Sequence, residues 1–501
     1  MKKKSMAALL AAAAIFYSTT ANAEVPNDAE TLALAARIDN DSFDRGKLNI
    51  GNTVQYWMPI FDTLLVYTPD AKIVPNVAES WTYNADNTVL TIVLRAGVKF
   101  TDGTSVDANA VKANLEYLAT ANGPNSYMAR TIKEIGVKSP QELELRLAEP
   151  DPALLYNLTT VAGALASPAT LGKEGSNEHP VGSGPYVYDA SASVAGRQYV
   201  YRRNPEYWNP SAFPFKQVTI TPISDTVARI NAISSHQVDA AIASPKEIKQ
   251  ATAAGLKVHL GDVDFLGLTL ADREGKLNPP LADVRVRKAI NLAFDRASIL
   301  KFVDLGYGTA TNQIFGKTSE AFLPELQDYY PYDPAKAKAL LAEAGYANGF
   351  TLDMPQIGPF AAYEPIVTQQ LGAIGIKVNW QKLAPGSAIP QIRSGKYPAF
   401  IFTFGMITPW SDFRQYLLPD APFNPLKAND PKLLDLIREA QVATGDAQKA
   451  KFQAVNRYIV DKAWFAPWYR INTVYFTTPD TDVDMEPGNN VPYIRNFRPA
   501  K

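Results

Sequence analysis

Strand-like and helix-like periods alternate along this chain, and one stretch of its second half constrains the fold most. Asp333 and Pro334 are placed to cap and open a helix through Leu340, Leu341 and Ala344, which Gly345 ends. Phe350 to Met354 then reads as a strand, Tyr363 to Ile374 as a helix burying Ile366, Val367, Leu371 and Ile374, and Ile376 to Trp380 as a second strand. Strand, helix and strand in that order make a βαβ unit, which implies parallel pairing and an α/β fold. A further strand, Ala399 to Phe404, runs into a loop, Gly405 to Ser411, at the carboxyl end where α/β sheets place ligands.

The first half is richer in β-structure. Trp81 to Tyr83, the turn Asn84 to Asn87, and Thr88 to Arg95 with Leu90, Ile92 and Leu94 on one face form a hairpin pattern. Ser224 precedes a helix, Asp225 to Ser234, with Val227, Ile230 and Ile233 on its expected apolar face, and Val238 to Ala243 reads as the next strand. No short repeat recurs, which excludes solenoids and propellers. A chain of 501 residues with 46% hydrophobic and 20% charged residues is globular and long enough for two to four structural units.

Lys2, Lys3 and Lys4 precede an apolar run from Met6 to Tyr17, and Ala21-Asn22-Ala23 follows with small residues at the cleavage positions. This is the pattern of a secretory signal peptide over residues 1–23, too short in its apolar part to span a membrane. Cleavage after Ala23 is expected to leave a periplasmic protein with no membrane anchor. Without its three lysines the mature chain carries a formal charge of −4, so nothing in the balance attracts nucleic acid. No Cys is present to carry a lipid, a disulfide or a thiolate-bound metal, and His179, His236 and His259 are too scattered to suggest a metal site. No cofactor is expected.

Catalytic signatures fail on single residues. Gly316-Lys317-Thr318 resembles the end of a P-loop, but Thr311 stands where the phosphate-cradling turn needs glycine. The same Thr311 breaks the dinucleotide pattern begun by Gly306-Tyr307-Gly308. Gly182-Ser183-Gly184-Pro185 is a tight turn rather than a nucleophile elbow.

Several motifs occur in a fixed order. Pro75 to Trp81, Leu94 to Gly103 and Val106 to Ala108 come first, followed by Gly182 to Tyr186 and Arg203 to Trp208. Asp283 to Asn291, Phe294 to Arg296, and Tyr332 to Pro334 with Ala344 to Tyr346 complete the set. Together they resemble the peptide/nickel family (family 5) of periplasmic solute-binding proteins of ABC importers. The resemblance implies a class II-like, two-lobed α/β periplasmic binding protein fold with mixed sheets and an extra β-rich domain inserted in the first lobe. Lobe one would comprise 24–66, 183–263 and 475–501, the extra domain 67–182, and lobe two 264–474, with hinges at the crossover strand Phe265 to Leu270 and near 474. It also implies a monomer that closes on a small-molecule ligand and delivers it to an inner-membrane ABC permease with ATPase subunits. Two other classes remain: a secreted hydrolase on the same scaffold, and a broad-specificity peptide-binding holdase.

Ligand contacts are expected from four segments facing the cleft. Asn52, Tyr56 and Trp57 belong to the first; Phe265 opens the second, a crossover strand; Phe360 and Tyr363 belong to the third. The fourth holds Phe404, Met406, Trp410, Ser411, Asp412 and Arg414. There Trp410 is suited to stack on an apolar or sugar face, Asp412 to accept hydrogen bonds from a cation or hydroxyl, and Arg414 to clamp a carboxylate. Dipeptide-binding members of the family hold the peptide carboxylate by an arginine before the βαβ helix and the amino group by an aspartate after the glycine of the next strand. Met354 to Phe360 contains no Arg and Gly405 to Thr408 no Asp, so unmodified dipeptides are expected to bind poorly. A modified peptide, an amino acid–sugar conjugate or a short oligosaccharide fits better.

Overall fold

The computed structural model describes residues 29–384, 386–405 and 407–501. The leader expected over 1–23 and the candidate Met406 lie outside them. One nine-stranded sheet runs through both halves of the molecule. Its order is Ala399–Gly405, Lys257–Leu270, Phe465–Thr477, Ala240–Ala243, Ala29–Ala36, Phe215–Pro222, Tyr199–Arg203 and Tyr186–Tyr188, with Gly308–Ala310 paired on Phe465–Thr477. The two long members pair antiparallel from Lys257 opposite Thr477 to Thr269 opposite Phe465, so both cross from one half to the other. Their register shifts between Asp262 and Asp264 and again between Leu266 and Gly267. Such irregularities bend a strand locally and free ladder positions from regular pairing.

The expected βαβ unit is present. Phe350–Gln356 and Ile376–Lys382 pair in parallel, joined by a short 3-10 turn, Gly358–Tyr363, and the helix Glu364–Gly372. Asp333 caps the helix Pro334–Glu343 by accepting from Lys336 N, and Gly345 beyond it takes φ +88°. The expected hairpin also forms, as the edge of a four-stranded antiparallel sheet ordered Ala78–Tyr83, Val89–Leu94, Glu142–Leu147, Ile132–Ser139. Its turn is held by the Asn84 carboxamide, which accepts from the N–H groups of Thr88 and Val89, and Asn87 adopts φ +58°.

Two local expectations need correction. Val227 is 67% exposed, because Asp225 caps the helix Thr226–Ser234 and the buried stripe is carried by Ile230 and Ile233 instead. Residues 409–416, read as the end of a loop and its sequel, are a helix, Pro409–Tyr416. Thr408 caps it by accepting from Ser411 N, and Pro409 occupies the first turn, where its missing N–H costs nothing.

A single apolar cluster includes both Leu32, Leu34 and Tyr201 of the large sheet and Leu90, Ile92 and Leu143 of the four-stranded sheet. The inserted region is therefore fused to the first half rather than tethered to it. The second half holds two clusters, one around Val286, Ile290 and Trp468, the other around Phe265, Phe404 and Phe413. Among the described residues no helix is long and apolar enough to cross a membrane.

Candidate functional site: a charged cavity where the crossover strands bend

A cavity of about 270 Å³ lies where the two halves and the inserted region meet. Its walls differ in chemistry. The helix after Ala399–Gly405 brings Pro409, Trp410 and Asp412 to it, and the second crossover strand brings Arg470. Gly316, Ser319 and Glu320 of a preceding loop complete this side. The rest of the lining includes Tyr67 and Ile73 of a small hairpin and Pro152 and Tyr156 around the four-residue helix Leu154–Asn157. Asp262 of the first crossover strand and Gly488 close the remaining edge, where Gly488 N donates to Asp262 O at 3.1 Å.

Asp412 is 1% exposed, and among the described residues its one close donor is Ile407 N at 3.4 Å, a long contact. Burial holds its carboxyl well above the ordinary aspartate range, opposed by that N–H and by the positive charge of Arg470. Arg470 is 4% exposed, and burial lowers its pKa against the pull of Asp262, Asp264 and Asp412. Its Nη1 donates to Ile314 O at 2.9 Å, while the buried Nε has no acceptor. Gly316 lies flat against this guanidinium: a Cβ there would meet Cζ and Nη2 at 2.7 Å. Asp264, beside the bend, accepts from Thr403 Oγ1 at 3.2 Å and is shifted up by burial. Asp262 accepts from Asn472 Nδ2 at 2.7 Å. Burial also raises Glu320, and it pushes the Tyr67 phenol up to about 12 with help from Glu320.

Of the residues expected at the site, Trp410 and Asp412 line this cavity. Trp410 is 5% exposed and meets Phe413 edge-on at 6.4 Å, so one ring serves both wall and core. Ser411 belongs to the helix cap, where it receives a hydrogen bond from Thr408 Oγ1 at 3.0 Å. Arg414 is exposed outside the cavity lining. Phe404 and Phe265 form the apolar floor beneath the helix, 5.6 Å apart, with Phe404 also 4.4 Å from Tyr416. Phe360 packs on Phe402 at 5.7 Å. Tyr363 is buried, stacks on Trp468 and shares a hydrogen bond of 2.5 Å with Tyr469. Tyr56 and Trp57 are core residues whose polar tips donate to Ile38 O and Asn49 O. Asn52 is half-buried, with its Oδ1 unpartnered, outside this lining.

Residue patterns missed Arg470, Asp262, Tyr67 and Tyr156. For the first two a signal existed. An arginine within the apolar run Phe465 to Phe476, and an aspartate in each of two near positions of Lys257–Leu270, place charge inside central strands, where it is rarely buried without a task. The tyrosines carried no signal, because they reach the cavity from short elements whose position depends on the packing of the inserted region.

Two halves of mixed structure joined by paired crossover strands, with a polar cavity at the bend, make a two-lobed α/β fold. The chain belongs to family 5 of the bacterial extracellular solute-binding proteins, whose family model (the "Middle" region) matches residues 72–422. It is similar to the glutathione-binding protein GsiB of Salmonella paratyphi A, 29% identical over 340 residues, covering 65% of this chain and 64% of GsiB. The match thus spans just under two thirds of that relative. The unliganded open form of the periplasmic murein tripeptide-binding protein MppA shares the fold, with a TM-score of 0.82, 21% identity, and coverage of 94% of this chain and 98% of MppA. So does AgaA from A. tumefaciens R10 in complex with agropinic acid, with a TM-score of 0.73, 23% identity, and coverage of 94% and 99%.

Proposed function

We propose that the protein is the periplasmic solute-binding component of an ABC importer, which closes its lobes on a small to medium polar organic solute and delivers it to an inner-membrane permease with ATPase subunits. The observation that carries this reading is the cavity, which is lined by residues of both halves and holds a buried arginine and a buried aspartate with polar atoms left unpartnered among the described residues, together with aromatic side chains. A ligand that bridges such walls stabilises closure only through contacts the open form lacks. The proposed hinge is the bend at Asp262 to Asp264 and its partner residues, with lobe one as 24–66, 183–263 and 475–501, the extra domain as 67–182 and lobe two as 264–474.

Trp410 is the proposed stacking platform and Asp412 the polar anchor. The Asp412 carboxyl, with only the long contact from Ile407 N among the described residues, suits a cationic group or a hydroxyl. GsiB is named for glutathione, MppA for a murein tripeptide, and AgaA holds agropinic acid. This chain is proposed to take a solute of that range, a modified peptide, an amino acid–sugar conjugate or an oligosaccharide, as a monomer. Native mass spectrometry of protein released from the periplasm should show a co-purified small molecule, and adding it back should raise the melting temperature and reduce the radius of gyration. A protein that carries nothing and whose melting temperature no polar metabolite moves is not a solute receptor.

A further inference from the structure

The inserted region adheres to the two halves of the molecule in different ways. With the first half it shares one apolar cluster, so that attachment is permanent. Toward the second half it presents the turn at Asn87 and the segment 150–153, which meet the end of the helix Pro431–Val442 and the start of the helix Gly445–Asp461. The polar bonds there run both ways: Asn87 Nδ2 donates to Val442 O at 3.3 Å, and Gln441 Nε2 donates to Pro150 O at 3.0 Å. Val442 O is among the last carbonyls of its helix, which need partners from outside it. Ala153 alone, among the described residues of the inserted region, joins the apolar cluster of Phe265, Trp410 and Phe413. A gap of about 80 Å³ is left between the surfaces, with Tyr83 and Leu155 on one side and Ala443 and Thr444 on the other. Burial raises the nearby Asp151 carboxyl, and the charge of Arg414, from the second half, opposes that shift. Two hydrogen bonds that water can replace, one small apolar contact and unfilled space make a seam that parts at little cost. The seam also continues the edge of the solute cavity: Pro152 lines both, and the helix Gly445–Asp461 runs from Gln448 at the gap to Phe452 at the cavity.

We infer that the inserted region is the catch of lobe closure: Asn87 and residues 150–153 form a seam with residues 441–444 that holds in the closed molecule and parts on opening, so its strength sets how much of the solute-free protein rests closed. This goes beyond the solute-binding reading and rests on it only for its effect on affinity. Asn87, Pro150, Gln441 and Val442 all stand outside the lining of the solute cavity. A change in the seam therefore shifts the closing equilibrium by one factor, and every solute that is held by the closed form gains or loses that same factor. Selectivity stays with the residues of the cavity.

The chain contains no Cys, so spin labels attached through Ala85→Cys and Ala447→Cys, exposed positions on either side of the seam, report its opening without background. Double electron–electron resonance of the solute-free protein should show a short and a long distance. Both donors are then removed by Asn87→Gly, which accepts the positive φ of that turn, and Gln441→Ala. The ratio of short to long should fall about fivefold or more, as the loss of two hydrogen bonds of ordinary net strength requires. Calorimetry of the unlabelled proteins uses the compound identified by native mass spectrometry and a derivative of it that binds more weakly. Both should lose affinity by the same factor in the double variant, through faster dissociation. A distance ratio that the double variant leaves unaltered, or one single distance in both proteins, overturns the inference, and so does a loss of affinity that differs more than about twofold between the two compounds. If no compound binds, the solute-binding reading fails, and the distances alone still decide whether the seam is a catch.

Discussion

The two walls of the cavity are built from the same kinds of amino acids as the rest of the protein but solve opposite problems. On one wall, Asp412 and Arg470 are charged, buried and attached to long elements: a helix with a Thr-Pro start and a 13-residue strand at the centre of the large sheet. On the other, Tyr67, Ile73, Pro152 and Tyr156 offer apolar faces from a three-residue-per-strand hairpin and a four-residue helix. A buried charge acts through distance and orientation, so its carrier must be stiff. An aromatic face needs only to exclude water and touch, which a short element achieves. Under the proposed function, discrimination by charge would reside on the wall that continues from the main sheet, and the inserted region would supply cover.

The largest effect expected from breaking this contrast comes from Asp412→Asn. Loss of a charge-assisted contact in a buried site costs roughly 1.5–3 kcal/mol, so a cationic solute should bind about tenfold to a hundredfold more weakly, as calorimetry reads directly. A loss under threefold would make the charged wall no more discriminating than the aromatic one. Trp410→Ala comes next, at about tenfold in binding from ~2 kcal/mol for a truncated aromatic anchor. Because the ring also packs on Phe413, this variant should melt lower than wild type. Trp410→Phe should recover most of the melting temperature and only part of the affinity; full recovery of both would reduce the residue to packing.

Tyr156 sharpens the opposite side. Tyr156→Phe should change affinity by less than about threefold, since the ring face provides the cover, whereas Tyr156→Ala should cost about tenfold or less. A large loss with Phe would give the aromatic wall a polar role. A separate expectation, on stability rather than binding, is the pH dependence of the ligand-free protein. Burial keeps Asp412 above the usual aspartate range and pushes Glu486 up to about 8. The fold therefore holds these protons more tightly than the unfolded chain, and stability falls as pH rises through each window, from about 4.5 to about 8 for Glu486. Melting curves across that range should be flatter for Asp412→Asn and for Glu486→Gln than for wild type. An equal slope in the Asp412 variant would mean that its carboxyl titrates normally.

Much of the scaffold was legible from residue order alone. The helix opened by Asp333-Pro334, the hairpin closed at Asn84 to Asn87 and the βαβ unit from Phe350 to Trp380 each depend on neighbours a few residues apart, and such local rules survive folding. The start of the Pro409–Tyr416 helix was equally local, with Thr408 and Pro409 in plain order, and went unread because a glycine-led segment after a strand suggested a loop.

By itself, then, the sequence determined the α/β character, the β-rich insertion, and the family through the order of its motifs. Trp410 and Asp412 could also be singled out, since they stand together after a strand end. Only the tertiary structure decided that Tyr56, Trp57 and Tyr363 turn inward, that Arg414 stays in solvent, and that Arg470 meets Asp412 across a cavity. Those outcomes depend on the register of two crossover strands, including the slip at Asp262 to Asp264, and on a glycine that lets one guanidinium lie against backbone. Register is set by the sum of long-range contacts along whole strands, so no single window of sequence contains it.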